Sequence, residues 1–205
     1  MWTQYWPVYE RLESEFCDLT FFISLEDRQL DVFSMKLAEL LLRIGQECEN
    51  SGKTLATQLG LYPASGTVER LTFPPLGDLL CSAVPLNTKT VEVIWVYQSL
   101  TVKSLTPFKT WSATGSINPT WYQAYNGLKH DRNTKFQEAK LGNVLEALAG
   151  LFILNLWLRK DNIERDSEWI ELARRRIVSY SELFDPSGFL QLSALGGVNK
   201  RLELV

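Results

Sequence analysis

Histidine is almost absent from this chain of 205 residues, which contains only His130. A metal site built from several histidines is therefore excluded. Cysteine is scarce as well, because Cys17, Cys48 and Cys81 are odd in number, lie far apart and form no CxxC pair. Such spacing predicts neither a zinc site nor a disulfide framework. We expect free, buried thiols in a reducing cytoplasm, and neither a metal nor another cofactor.

The sequence also lacks the motifs of several large enzyme classes. It has no glycine-rich phosphate loop, because Gly52-Lys53-Thr54 is only a fragment of that signal, and it has no GxSxG or HExxH motif. An excess of basic residues is missing too, since 21 lysines and arginines face 24 acidic residues and the net charge is -3. The charge of the whole chain therefore predicts no affinity for nucleic acid, although a local basic patch can supply it.

Signals for secretion or membrane insertion are also weak. The first residues show no basic region followed by an apolar one, so we expect a cytoplasmic protein. The segment from Leu141 to Leu158 has the length of a membrane span. However, Asn143, Glu146 and Asn155 interrupt it, and charge at the depth of a bilayer is costly. We expect a buried core helix that makes no contact with a membrane.

Apolar residues recur with helical spacing over much of the chain. One stripe predicts a helix from Trp2 to Thr20. A second predicts a helix that follows Phe33, is capped by Asp31 or Ser34, and reaches Leu59 if Gly52 is tolerated. Further helices are predicted over residues 136–159, around the core segment, and over the charged residues 164–178.

Residues 62–117 differ from the rest because they are rich in proline and in β-branched residues. The runs Val91–Tyr97 and Leu100–Leu105 alternate in part, and only Gln98 and Ser99 separate them, which predicts a β-hairpin. The expected fold is thus mainly α. It is a single helical domain over residues 1–205 with an inserted extended or β region at residues 62–117.

The densest group of functional side chains follows this insertion. Asn118 and Pro119 predict the start of a helix that ends near His130 or Arg132. Spacing by four residues places Tyr122, Asn126 and His130 on one face of that helix.

These side chains suit phosphate chemistry. His130 can transfer a proton near neutral pH, Asn126 can orient the imidazole, and Lys129 and Arg132 can hold a phosphate. The alternative is that His130 packs or caps at a helix end while Tyr122 and Asn126 are satisfied core groups.

The sequence AYNGLKHDR, followed by a core helix, resembles the HEPN superfamily of small helical bundles. The marker of that superfamily is an arginine, a polar residue that is often asparagine, three variable residues and a histidine. Many members use it for metal-independent RNA cleavage at a dimer interface. Asn126 and His130 match the polar residue and the histidine, whereas Tyr125 occupies the position of the arginine. Trp121–Arg132 and Ala139–Phe152 also resemble segments shared by a group of bacterial proteins to which no activity is assigned.

The resemblance implies a homodimer and RNA as a partner, or a partner protein within a phage-defence or toxin–antitoxin system. In an endoribonuclease, His130 and Asn126 would be catalytic, Lys129 and Arg132 would bind phosphate, and Tyr122 and Tyr125 would support them. Because the motif arginine is missing, a second hypothesis stays open. It is a non-catalytic module that keeps the fold and binds a protein, a nucleotide or RNA.

Overall fold

The structure is a computed structural model that describes residues 4–159, 181–186, 190–194 and 200–204, the last two ranges by their backbone. Helices dominate these residues, so the predicted mainly helical class is confirmed. The helix predicted over residues 164–178 lies outside the described residues. The described helices are α1 (Tyr5–Leu19), α2 (Met35–Gln58), α3 (Phe73–Cys81), α4 (Thr120–His130), α5 (Arg132–Lys135) and α6 (Leu141–Leu158).

Helix α6 is the centre of the core. Apart from Gly142, Asn143 and Glu146, every residue of α6 is buried, and α1, α2 and α4 pack around it. By length and composition α6 would pass as a membrane span, but most of it is buried inside the protein, so the predicted core helix is confirmed. Its predicted start at residue 136 is wrong, because Phe136–Glu138 form a 3-10 turn and the extended Lys140 bridges to Phe33.

Helix α2 is long and continuous. Its cap is Ser34, not Asp31, because the Ser34 hydroxyl accepts a hydrogen bond from the Leu37 amide at 3.2 Å. The helix passes through Gly52 without a break and ends at Gln58. At Gly45 it approaches α4 so closely that an added Cβ would lie 2.3 Å from the Tyr125 ring. Glycine at this position therefore sets the spacing between the two helices.

The region over residues 62–117 contains more helix than predicted, namely α3 and two 3-10 turns. Strand β2 (Val91–Val93) pairs antiparallel with β4 (Ser104–Leu105), as expected for the two runs. The predicted two-residue turn is wrong, because Gln98–Ser99 form β3, which pairs in parallel with β1 (Leu25–Glu26). Next to this pair of strands, the Asp27 carboxylate accepts a hydrogen bond from the Thr101 amide at 3.1 Å. This bond links the residue after β1 to the residues after β3.

Later residues complete the small sheets. Strand β5 (Phe184–Asp185) pairs with the free side of β2, and β6 (Leu190–Ala194) pairs antiparallel with β7 (Lys200–Leu204).

A buried carboxylate ties the segment around β5 to α1. Glu13 accepts hydrogen bonds from the Tyr9 hydroxyl at 2.7 Å, from the Leu183 amide at 3.2 Å and from Ser181. Burial raises the pKa of Glu13 in spite of these donors.

Candidate functional site

Helix α4 carries the predicted site and lies against α2 and α6. It begins at Thr120 and has no side-chain cap, so the expectation that Asn118 caps it is wrong. The Pro119 carbonyl instead accepts from the amides of Tyr122 and Gln123 at 3.0 and 2.9 Å. The helix ends at His130, and the Asp131 carboxylate then caps α5 by accepting from the Thr134 amide at 3.3 Å.

The buried side of α4 presents two tyrosines. Tyr122 is 6% exposed, and its ring stacks on Phe73 with 3.8 Å between the ring centroids. Its hydroxyl donates to Glu49 Oε1 of α2 at 2.6 Å. Tyr125 is 1% exposed and packs on Gly45. Burial and the neighbouring Glu49 raise the pKa of Tyr122, so its hydroxyl remains a neutral donor.

Lys129 is exposed at the surface, but its ammonium is joined to the two tyrosines through Tyr125 and Glu49. Its ammonium donates to the Tyr125 hydroxyl at 3.1 Å and lies 3.6 Å from Glu49 Oε2. The hydrogen bond to Tyr125 raises the pKa of Lys129, so the side chain is charged at neutral pH. Glu49 balances that charge locally. We call Glu49, Tyr122, Tyr125 and Lys129 the Glu49 network.

The exposed side of α4 and the start of α5 present Asn126, His130 and Arg132. Within the described parts of the chain, these three side chains form no hydrogen bond, ion pair or ring contact. Lys135 is exposed nearby and passes over Gly127. The one acid between them, Asp131, is engaged by the amide and the hydroxyl of Thr134. We call Asn126, His130, Arg132 and Lys135 the exposed face.

The structure therefore divides the predicted site residues into two groups. It leaves Asn126, His130 and Arg132 exposed to solvent, and it turns Tyr122 and Tyr125 towards the core. The motif position is held by Tyr125, whose ring is buried and whose hydroxyl accepts from Lys129. Arg132 is the only arginine of α4 and α5, and it follows His130 closely.

Sequence reasoning missed two residues that shape this part of the molecule. Glu49 joins the tyrosines to Lys129, and Gly45 lets Tyr125 approach α2. Neither residue belongs to a motif. A glycine and a glutamate inside a long amphipathic helix were weak signals, because their partners lie far away along the chain.

Two cavities lie near these elements. One of about 420 Å³ opens between α1, α2 and α4, with Leu42, Glu47 and Lys129 among its lining residues. The other, of about 350 Å³, lies at the start of α6 and includes Glu146. His130 lines neither of them.

Neither a metal site nor a known relative assigns a function to these residues. In residues 4–159 and the short later ranges, no group of three or more histidine, cysteine, aspartate or glutamate side chains is arranged to hold a metal ion. Comparisons with protein-family models, curated proteins and solved structures find no match for this chain. The interpretation of the site therefore depends on its own geometry.

Proposed function

We propose that the chain is a HEPN-like, RNA-directed protein that contacts RNA through the exposed face of α4 and α5. The observation that supports this proposal is the exposure of several basic groups on α4 and α5. Arg132, Lys135 and His130 are exposed, and Asp131, which accepts from Thr134 and attracts Lys135, is the one acid among them. Side chains of this kind bind phosphate oxygens, and Asn126 adds an amide that can hydrogen-bond to a sugar or base. A local basic surface of this kind can bind nucleic acid although the net charge is -3.

The first form of this function is metal-independent RNA cleavage. In that reaction the ribose 2′-hydroxyl attacks the adjacent phosphate and the 5′-oxygen leaves. One group must accept the proton from the hydroxyl, and another must donate a proton to the leaving oxygen. Each chain has only one histidine, His130. A homodimer that brings the two exposed faces together would supply two imidazoles, and Arg132 would neutralise the charge on the phosphate.

The second form is a non-catalytic module that binds RNA or a partner protein. A specific observation favours it, since Tyr125 occupies the position of the motif arginine and is buried. Glu49 also balances the charge of Lys129. A phosphate on the exposed face would therefore meet one guanidinium per chain, which is enough for binding but gives weak stabilisation of a transition state.

One assay separates the two forms. The purified protein is incubated with end-labelled single-stranded RNA in EDTA, and both cleavage and complex formation are followed. Cleavage by the wild type that His130→Ala removes, with RNA binding retained, supports the nuclease. Binding without cleavage supports the module. If the wild type neither binds nor cleaves RNA, the RNA-directed function is wrong in both forms, and only a module that binds a partner protein is left.

The biological setting belongs to the proposal as well. We propose, on the resemblance to HEPN proteins alone, that the chain acts in the bacterial cytoplasm in a phage-defence or toxin–antitoxin system. A nuclease in such a system should arrest growth when it is expressed alone. The arrest should disappear with His130→Ala at equal protein level, and arrest that persists with this variant would argue against a catalytic His130.

A further inference from the structure

Glu146 is the only acidic residue on α6 and lies on the helix that forms the core. Its side chain is half-buried, and burial raises the pKa of its carboxyl group. Within the described residues, the carboxylate accepts no hydrogen bond and has no cation within 4.0 Å. A carboxylate that loses water without gaining a partner costs stability. Such groups are candidates for a binding role.

The carboxylate lines the cavity of about 350 Å³ at the start of α6. Apolar side chains form much of the wall, including Leu100, Val102 and Leu105 from the segment that contains β4. Asn143 lines the same cavity, and its amide nitrogen donates to the Glu138 carbonyl at 2.9 Å. Because the nitrogen is engaged, the Asn143 side-chain oxygen remains as an acceptor. The cavity thus combines an apolar wall with oxygen acceptors.

The charges around the cavity leave a negative excess. Asp31 and Lys140 form an ion pair at 2.9 Å and cancel each other. Of the other lining groups, Glu138 and Glu146 are negative and Lys109 is positive, which leaves one net negative charge. Lys109 is exposed and lowers the pKa of Glu146 from a distance, without forming an ion pair. The cavity should therefore favour a cation over an anion.

We propose that this cavity binds an alkylammonium group, with the ammonium at Glu146 and the alkyl chain against Leu100 and Leu105. An ammonium ion has three donors, which fit the Glu146 carboxylate and the Asn143 oxygen. A divalent metal ion suits the cavity less well, because the described residues hold no cluster of three acidic, cysteine or histidine side chains. The ammonium can come from a free amine or from a lysine of another protein. The proposal is independent of RNA binding at α4.

The test measures binding of three small probes to the whole chain by calorimetry and by NMR. They are n-pentylamine, N-acetyl-lysine methylamide and the uncharged control n-pentanol. The proposal is supported if n-pentylamine binds, with or without the lysine derivative, and n-pentanol binds clearly more weakly. The site then accepts alkylammonium ions from free amines. Binding of the lysine derivative alone indicates that the site accepts a protein lysine. If no amine binds, or n-pentanol binds equally well, the proposal is wrong.

Variants assign the binding to this cavity. Glu146→Gln preserves the shape but removes the charge, so the amine affinity should fall about tenfold or more. Lys109→Met removes a competing cation and should raise the affinity. Val102, which is exposed at the rim, can be changed to tryptophan to block the entrance without altering the core. Glu92→Gln, an exposed carboxylate on β2, is the control and should have no effect. Unchanged binding in both Glu146→Gln and Val102→Trp would overturn the assignment.

Discussion

On the buried side of α4, each polar group has a partner. Tyr122 donates to Glu49, Lys129 donates to Tyr125, and Lys129 also pairs with Glu49. On the exposed side, Asn126 and His130 contact no other polar group of the described chain. The buried groups are therefore expected to contribute to stability, while the exposed ones are free for a ligand. Residues that form one cluster in the sequence are thus divided between a packed side and a solvent-facing side of α4.

The largest effect should come from removing the aromatic ring on the buried side. Tyr125→Ala deletes a side chain that is 1% exposed and packed on Gly45. The free energy of unfolding should fall by about 3–5 kcal/mol, as for other large-to-small core changes. His130→Ala on the same helix should change it by less than about 0.5 kcal/mol. Urea denaturation measures both values. Similar losses in the two variants would remove the distinction between the two sides.

A smaller loss in the free energy of unfolding should follow when the negative charge of Glu49 is removed. Glu49→Gln weakens the charge-assisted hydrogen bond from Tyr122 and the ion pair with Lys129. We expect a loss of about 1.5 kcal/mol, at the low end for hydrogen bonds to charged groups, because Lys129 is partly exposed. Glu39→Gln is a matched control on α2, since Glu39 pairs with Lys36 at the surface at 3.5 Å. That control should cost less than about 0.5 kcal/mol. Equal costs in urea denaturation would show that the network adds nothing to stability.

Glu146 extends the comparison, because its half-buried carboxylate has no hydrogen-bond or ion-pair partner within the described residues. Its pKa is raised in the folded state from an ordinary value of 4.5, so the folded protein binds more protons than the unfolded one above that pH. The stabilising contribution of the protonated form is fully present below pH 4.5 and is lost as the pH rises through the folded pKa. Stability of the wild type should therefore decline over this interval relative to Glu146→Gln.

At neutral pH, and without added amine, Glu146→Gln should be more stable than the wild type by about 0.5–2 kcal/mol. Thermal unfolding at a series of pH values measures the difference. Because other carboxyl groups titrate in the same range, the relevant quantity is the difference between the two proteins and not the slope of either one. A difference that is independent of pH would contradict the raised pKa.

Helices α1, α2, α4 and α6 could be predicted because their apolar residues repeat regularly, and Ser34 is one of the two caps, with Asp31, that the sequence offers for α2. Helix α3 is not predicted, because the prolines of residues 62–117, which include Pro74 and Pro75, favour an extended region, although proline is compatible with the first turn of a helix. The pairing of Gln98–Ser99 with Leu25–Glu26 was beyond local reasoning. It depends on contacts between segments that are distant in sequence.

The site could be predicted only in part. Spacing by four residues groups Tyr122 with Asn126 and His130, but in the structure Tyr122 is buried while the other two are exposed, because spacing does not show which side of α4 faces the core. Burial of Tyr122 and Tyr125 depends on Gly45 and Glu49 of another helix. The HEPN resemblance, the homodimer, RNA cleavage and the role in defence remain predictions.

The salt dependence of RNA affinity tests the central claim most directly. Fluorescence anisotropy with single-stranded RNA, between about 50 and 200 mM salt, gives the number of phosphate contacts from the slope of log affinity against log salt. Arg132→Ala should weaken binding and reduce that slope by about 0.7, the value for one phosphate contact on a single strand. Arg28→Ala, an equal charge change at an exposed site outside α4 and α5, should leave the slope unchanged. Wild-type protein without salt-dependent binding, or equal effects of the two arginine variants, would contradict the assignment of the exposed face of α4 and α5 as the RNA-contacting surface.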